Sequence, residues 1–503
     1  MLGRKSFLIM VVLTLNAILS FAGLSIMTRY LGAETFGSFS WAMALVVIFN
    51  TVADLGFNTA HIKRVSEGKD IGECISTFTL CKLSLTGLMV LFMTIFLLFT
   101  SSYRQLEGDG LLMVILFILY YVFYDVASIA IATFDARQET ARTQTSNMID
   151  PLLRLPLIVI FALGGMSAVS FVVAYVIGGF GLMVSSLYLL SREKIIWKRP
   201  RLVHHYVAFA IPYALVTVMA TVSSNLDKLL LGVFWTNIEV GYYSASWSIV
   251  LMISVIGIAI SSLVFPTFSK LHTENGNEQI QTLTWASERY TSMISIPLIA
   301  ILVVFSEDIM ALLFGTEFRG GGGSLRFLAI AMFLEIINVA YIAQIGAFNR
   351  PTAVAKLTII QVVTGFAFFL VLVPTHIGGI DLLALGDTGA AIARIFGCAA
   401  IFFIARRLAF NLTGTRSNPR LLLHLVGALL TGLTLEAISG VWSITHWYDA
   451  LLLLMVSYAV FTSLLFIFRE LGKEDMRFMM SVMNPLDMWS YVKGELKGRE
   501  PRS

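Results

Sequence analysis

Charge is what this sequence has least of. Only 13% of its 503 residues are Asp, Glu, Lys or Arg, about half the share found in soluble globular proteins, and this excludes an ordinary cytosolic enzyme. Cysteine is scarce too: Cys74, Cys81 and Cys398 stand alone without metal-ligand spacing, so no disulfide framework is implied and the three read as small buried hydrophobes. The seven histidines form no HExxH motif, and no GxxxxGK[ST] loop is present, which leaves neither a zinc hydrolase nor an ATP-driven domain on the chain. No repeated filter-like segment marks a channel. The connections are also too short to hold the catalytic loops of a membrane glycosyltransferase or polymerase.

Apolar residues are abundant, at 57% of the chain, and mean hydropathy is +0.83. They gather into blocks of about 20 residues, enough to cross roughly 30 Å of hydrocarbon at about 1.5 Å per residue. Fourteen such blocks predict an all-α polytopic membrane protein. They divide into an N-terminal lobe (1–190, six spans), a basic linker (191–205), a C-terminal lobe (206–407, six spans), two extra spans (408–470) and an amphipathic tail (471–503). Arg4-Lys5 precedes an apolar run with no convincing cleavage site, so the first span is expected to be retained.

Placement of positive charge predicts orientation. With both termini in the cytoplasm, inside segments hold 27 of the 35 Lys and Arg, outside segments hold Arg29, Arg104, Arg319 and Arg326, and four fall within spans. The expected location is the plasma membrane. A short repeat supports two related halves: Arg29-Tyr30-Leu31-Gly32 followed by Phe36-Gly37 and Trp41 corresponds to Lys228 through Gly232 followed by Val240-Gly241 and Trp247. Internal repeats with a binding site at their interface are a recurring transporter design.

Ionisable groups inside spans cost about 2.5–3.5 kcal/mol each on insertion scales, so each calls for a partner or a wet cavity. Arg29 and Lys228 lie at the outer ends of their helices, where snorkelling and a cavity role are both open. Lys82 and Arg394 sit roughly 10 Å inside their nearer faces, and Glu335 roughly 16 Å from either face. Span five must start near Thr143 to be long enough, which carries Asp150 and Arg154 into the membrane on one helix face, where they can pair. Asp54, Asp125, Asp227 and Glu436 complete the acidic set. Asp54, just before Leu55-Gly56, suits a capping role as well as a transport role, and Glu335 and Asp125 are candidate ion carriers. Gly320–Gly323 is expected to be a flexible outer connection.

In order and spacing, several short motifs resemble the polysaccharide transporter family, the lipid-linked oligosaccharide and O-antigen flippases of the multidrug/oligosaccharidyl-lipid/polysaccharide exporter superfamily. They are Arg29-Tyr30-Leu31-Gly32 with Phe36-Gly37, Asp54-Leu55-Gly56 with Arg64, Asn225-Leu226-Asp227-Lys228, Gly241-Tyr242-Tyr243, Leu313-Phe314-Gly315 with Phe318, and Gly389-Ala390-Ala391-Ile392-Ala393. The glycine run after Phe314-Gly315 departs from the family pattern.

The resemblance implies two six-helix lobes around a central cavity, with two extra C-terminal helices here. It implies transfer of a polyprenyl-(pyro)phosphate-linked glycan from the cytoplasmic to the outer leaflet by alternating access, without catalysis. Arg29 and Lys228 would meet the phosphate by motif position; Lys82, Arg154 and Arg394 are added as cavity cations because of their depth. No cofactor, metal or nucleic acid is expected; the partners are the glycan lipid, membrane lipids and glycan-assembly enzymes, and the chain is expected to be a monomer. The alternatives are a cation-coupled multidrug antiporter of the same superfamily and a peptidoglycan-precursor flippase.

Overall fold

A computed structural model describes residues 2–100, 104–193, 195–274, 276–348 and 350–472. The expected amphipathic tail therefore lies, beyond residue 472, outside the described residues.

The chain runs α1 (Leu2–Asp54), α2 (Phe57–Ser66), α3 (Ile71–Thr100), α4 (Asp109–Ala136), α5 (Thr140–Leu163), α6 (Ala168–Ser191), α7 (Val203–Phe234) and α8 (Asn237–Thr273). It continues with α9 (Asn277–Val304), α10 (Ser306–Phe314), α11 (Gly322–Ile337), α12 (Val339–Ala347), α13 (Pro351–Leu372), α14 (Gly386–Thr413), α15 (Leu421–Ser439) and α16 (Trp447–Ile467). Among the described residues, strand is confined to a small hairpin in which His376 faces Asp381. Twelve helical stretches are long and apolar enough to cross a membrane. The first, Val11–Ser66, holds the first two expected spans, and α7, with 32 residues, covers the seventh. Each of the fourteen expected blocks thus lies on helix, and the protein is a multi-pass membrane protein. The expected ninth block does not continue to its end as one helix: α9 stops at Val304, and Ser306-Glu307-Asp308 opens the separate nine-residue α10. Acidic residues suit the first turn of a helix, where the amides are unpaired.

Among the described residues the helices form two compact units: residues 2–31 and 38–226 in the first, residues 32–37 and 227–472 in the second. In the first, α4 packs on α6, α5 on α6, and α2 against α3 and α4. His61 is fully buried there, with Nδ1 2.9 Å from the Tyr206 hydroxyl, Nε2 3.0 Å from Thr133 Oγ1 and its ring stacked 4.3 Å from Phe78. Tyr206 also donates to the Cys74 carbonyl at 3.2 Å, so one polar core ties the first turn of α7 to α2, α3 and α4. Cys74, Cys81 and Cys398 are all buried. The N-cap position of α2 is Gly56, and Asp54, two residues before it, accepts the Asn58 amide of the first turn on its Oδ1 at 3.3 Å.

In the second unit α9 runs through the centre, two thirds of its most apolar stretch being buried, against 11% for α13. Its buried face carries Thr284, Ser287, Thr291 and Ser295 at three- and four-residue intervals, each hydroxyl donating to the carbonyl four residues back at 2.6–2.8 Å. Small hydroxyl side chains that satisfy themselves on their own helix allow close helix contact in an apolar medium.

The family motifs meet in this unit. Gly32 kinks α1 with φ 73°. A Cβ on Gly37 would fall 1.7 Å from the Asn237 carbonyl oxygen, and one on Gly241 2.2 Å from that of Ala33. Each glycine faces the residue four before the other, so the two helices touch backbone to backbone there. Phe318 packs near Phe36, Tyr242 and Phe314, with ring centroids 5.8–6.2 Å apart.

Gly320–Gly323 is not a flexible connection. It closes a 3-10 turn and opens α11, and Cβ atoms there would come within 2.8 Å of Tyr242, 2.5 Å of Glu307 and 2.5 Å of Thr388. Packing, rather than freedom, explains these glycines.

Candidate functional site

Each unit holds an arginine inside its helices, laid on an aromatic ring and facing an aspartate that a tyrosine also holds. In the first unit, α5 starts at Thr140, early enough to carry Asp150 and Arg154 deep into the span. Arg154 Nη1 lies 3.2 Å from Asp150 Oδ2, the four-residue pair expected from spacing. Its guanidinium is 4.3 Å from the Tyr175 ring centre, and Nη2 reaches Ser20 Oγ at 3.4 Å. Tyr120 donates to Asp150 Oδ2 at 3.4 Å, while Oδ1 has no hydrogen-bond partner and fills the place where a side chain on Gly178 would be. A cavity of about 240 Å³ opens beside this pair, lined by Asn16, Ser20, Tyr124, Asn147, Asp150 and Arg154 among others. Pro151 sits within the helix and lacks the amide that would bond the Asn147 carbonyl, which adds polar backbone at the same place.

In the second unit, Asp227 on α7, Glu335 on α11 and Arg394 on α14 converge. Arg394 lies 3.7 Å from Asp227 and 3.5 Å from Glu335, with its guanidinium 4.1 Å from a Trp247 ring centre. Tyr243 donates to Asp227 Oδ2 at 2.6 Å. Gln361 donates to Cys398 Sγ at 3.4 Å, and that sulfur is 4.0 Å from Glu335. Arg394 is 10% exposed, Asp227 24% and Glu335 40%, so the acidic side of the cluster is the open one. Lys228 is half-buried beside Asp227, with no carboxylate within ion-pairing distance among the described residues.

Lys82 and Asp125 are placed differently. They are 2.9 Å apart and each 2% exposed, with Thr86 donating to Asp125 at 3.3 Å, a closed pair that fastens α3 to α4. Arg29 is exposed, one turn before the Gly32 kink.

Sequence reasoning missed a further buried pair in the second unit, Glu288 on α9 with Arg406 on α14, where Arg406 also donates to Asn338 Oδ1 at 3.0 Å and lies over Phe402. The sequence signal was Glu288 lying on the Ser/Thr stripe of α9. Arg406 looked like a span-end charge, but α14 runs on to Thr413 and buries it. Glu470 was missed as well. It is buried in the turn after α16 and meets Arg289 at 2.9 Å, Arg420 at 3.5 Å and His424 at 3.8 Å.

Outside the spans the charge pairs are of the ordinary exposed kind. Hydrogen bonds from Arg137 and Arg142 hold the Glu193 carboxyl below the usual glutamate range, and Lys198, 2.6 Å away, does the same for Asp70.

Known proteins resemble the chain in sequence and in fold. A probable low-salt glycan biosynthesis flippase, Agl15, of Haloferax volcanii is 26% identical over 396 residues, covering 78% of this chain and 80% of that one. Among solved structures, the lipid II flippase MurJ in an inward closed conformation superposes with a TM-score of 0.73 at 14% identity, covering 92% of this chain and 99% of that chain. An inward-facing multidrug resistance transporter of the MATE family, of the MOP superfamily, superposes with a TM-score of 0.64 at 16% identity, covering 80% and 96%. At these identities the two structures establish the shared transporter fold. The model of the family described as polysaccharide biosynthesis protein matches residues 2–272, more than half the sequence and including α1 to α7 with the repeat motifs on both sides of the Gly37–Gly241 contact, and the chain belongs to that family.

Proposed function

We propose that the protein is a flippase that moves a lipid-linked oligosaccharide, carried on a polyprenyl phosphate or pyrophosphate, from the cytoplasmic to the outer leaflet by alternating access of two lobes. It would do so in the plasma membrane, as a monomer with both termini in the cytoplasm, receiving its substrate from glycan-assembly enzymes. The observation that carries this reading is the arginine in each unit held over an aromatic ring by loose contacts of 3.2–3.7 Å to carboxylates. A tight guanidinium–carboxylate pair is shorter, about 2.7–2.9 Å. Arg154 and Arg394 are therefore loosely held by their carboxylates, and their fork geometry suits a phosphate.

A sugar headgroup cannot enter hydrocarbon without losing the water bonded to its hydroxyls and phosphate, whereas the polyprenyl tail never leaves the lipid. A polar site open sideways to the bilayer is sufficient. In this scheme Arg29, Lys228, Arg154 and Arg394 meet the anion in turn, and Asp150, Asp227 and Glu335 hold the arginines while the site is empty. Lys82 with Asp125, and Asp54, serve the helices instead. Outward movement of an anion from a negative interior is favoured by about 2.3 kcal/mol per charge per 100 mV.

The test is headgroup flipping in proteoliposomes, with a fluorescent polyprenyl-diphosphate oligosaccharide and a membrane-impermeant quencher, for the native chain beside Arg29→Ala/Lys228→Ala and Arg154→Gln/Arg394→Gln. Loss of flipping in the folded variants is the expected result. Flipping that persists in both overturns the site, and proton-linked efflux of organic cations with no flipping by the native chain overturns the function in favour of the antiporter.

A further inference from the structure

The last turns of α14 and its connection to α15 bear four arginines, and they divide into two kinds. Arg406 is buried on Glu288, and Arg420 meets Glu470 at 3.5 Å. Arg407 and Arg416 are exposed and have no carboxylate within ion-pairing distance among the described residues. Both line a groove of about 640 Å³, whose polar side is completed by Arg406, Thr415, Ser417 and Asn418 and along whose apolar side Phe403, Phe410 and Leu422 are exposed.

The groove is built on a fixed loop. The Arg416 amide donates to Gln281 Oε1 at 3.2 Å, and its carbonyl accepts the Trp285 indole N–H at 2.7 Å. Just before it, Thr413 and Thr415 are buried and take both donor contacts of the Gln344 amide, at 2.7 and 3.2 Å. Arg416 is therefore presented from an anchored backbone, which lowers the entropy lost when a ligand binds. Two unbalanced guanidinium groups above a wall of exposed phenylalanine and leucine match one chemistry: a phosphate with acyl chains attached.

We propose that this groove holds an acidic phospholipid, its phosphodiester bridging Arg407 and Arg416 and one acyl chain lying along Phe403, Phe410 and Leu422. Basic pockets between transmembrane helices bind anionic headgroups on electrostatic grounds. The bond is the forked guanidinium–phosphate contact. The site is separate from the Arg394 cluster and independent of which glycan is carried.

Native mass spectrometry of the detergent-purified full chain tests it, by titration with phosphatidylglycerol and, separately, phosphatidylcholine. In Arg407→Gln/Arg416→Gln the first phosphatidylglycerol should bind about 30-fold more weakly, at roughly fivefold for each basic charge near the headgroup, with phosphatidylcholine unchanged. Arg199→Gln/Arg201→Gln, in the other basic connection, is the control and should retain native binding. Ser417→Glu, which leaves both arginines in place and sets a like charge beside the phosphate, should weaken phosphatidylglycerol in the same sense. Native-like retention in the Gln and Glu variants overturns the proposal, as does equal loss in the control. Displacement of phosphatidylglycerol by equimolar polyprenyl phosphate also overturns it, by making the occupant the transported lipid.

Discussion

The two arginine clusters use the same parts in different ways. In the first unit the arginine and its aspartate sit on one helix, four residues apart, with a long tyrosine contact of 3.4 Å. In the second unit the partners come from three helices, α7, α11 and α14, and the tyrosine contact is 2.6 Å. A pair within one helix survives any movement of that helix. A cluster across three helices exists only while they keep their places, so Arg394 reports on the arrangement of its unit in a way that Arg154 does not. The aromatic ring beneath each guanidinium is common to both and supplies cation–π attraction where water is scarce.

The comparison breaks most clearly on removal of the arginines. Arg394→Ala leaves Asp227 and Glu335 without their shared cation and is expected to cost about 3–5 kcal/mol, the usual consequence of orphaning a buried charge. Arg154→Ala orphans one carboxylate beside an existing cavity, so its cost should lie near about 3 kcal/mol. Thermal unfolding gives the order, and maleimide labelling of Cys398, which is buried against Glu335 and Gln361, should speed up in the first variant only. Equal destabilisation with no change in labelling would show that the three-helix cluster is no tighter than the single-helix pair.

The tyrosines sharpen the same contrast. Loss of a buried hydrogen bond to a charged group costs about 1.5–3 kcal/mol, and Tyr243→Phe is expected near about 2 kcal/mol. Tyr120→Phe, at its longer contact, should fall below about 1 kcal/mol. Gly178→Ala comes next: its Cβ would stand 2.1 Å from Asp150 Oδ1 and 3.1 Å from the Asp150 carbonyl oxygen. It should push the carboxylate toward the cavity at a cost of about 1 kcal/mol, the low end for overpacking, because a short side chain can give way. A flipping assay on this variant then isolates the aim of Asp150 and Arg154 from their presence, with slower flipping at near-native stability as the expected result.

What could be read in the sequence follows the same division. The Asp150–Arg154 pair is a statement about one helix, so spacing and the minimum length of a span were enough to place it. The spans themselves were legible for the same reason, since hydropathy is local. Lys82–Asp125, Asp227–Arg394 and Glu288–Arg406 join residues 43 to 167 positions apart, and nothing in one sequence marks which distant helices touch. Gly37 and Gly241 are the exception. The repeat identified them as equivalent, yet only the structure shows that they meet, each lacking the Cβ that would strike the other's helix. Gly320–Gly323 misled because composition does not distinguish a glycine required by flexibility from one required by close packing.

The smallest expected effect concerns charges outside the spans, and it separates them from both clusters. Glu193 is held below the usual glutamate range by Arg137 and Arg142, and Asp70 by Lys198. A carboxylate with a lowered folded-state pKa contributes stability that is fully present above its unfolded value, about 4.3 for glutamate and 3.9 for aspartate, and lost as pH falls through the folded value. These pairs are exposed to water and screened by salt, so raising ionic strength at neutral pH should already remove most of what they give. The expected result is a slight fall in unfolding midpoint between low and high salt that disappears in Glu193→Gln/Asp70→Asn. In the same salt series, the difference between Arg394→Ala and the native chain should stay constant, because Debye screening acts through water and the Arg394 guanidinium is only 10% exposed. If the Arg394 difference shrinks with salt as the loop pairs do, water reaches that cluster freely, and the three-helix site is as open as the surface.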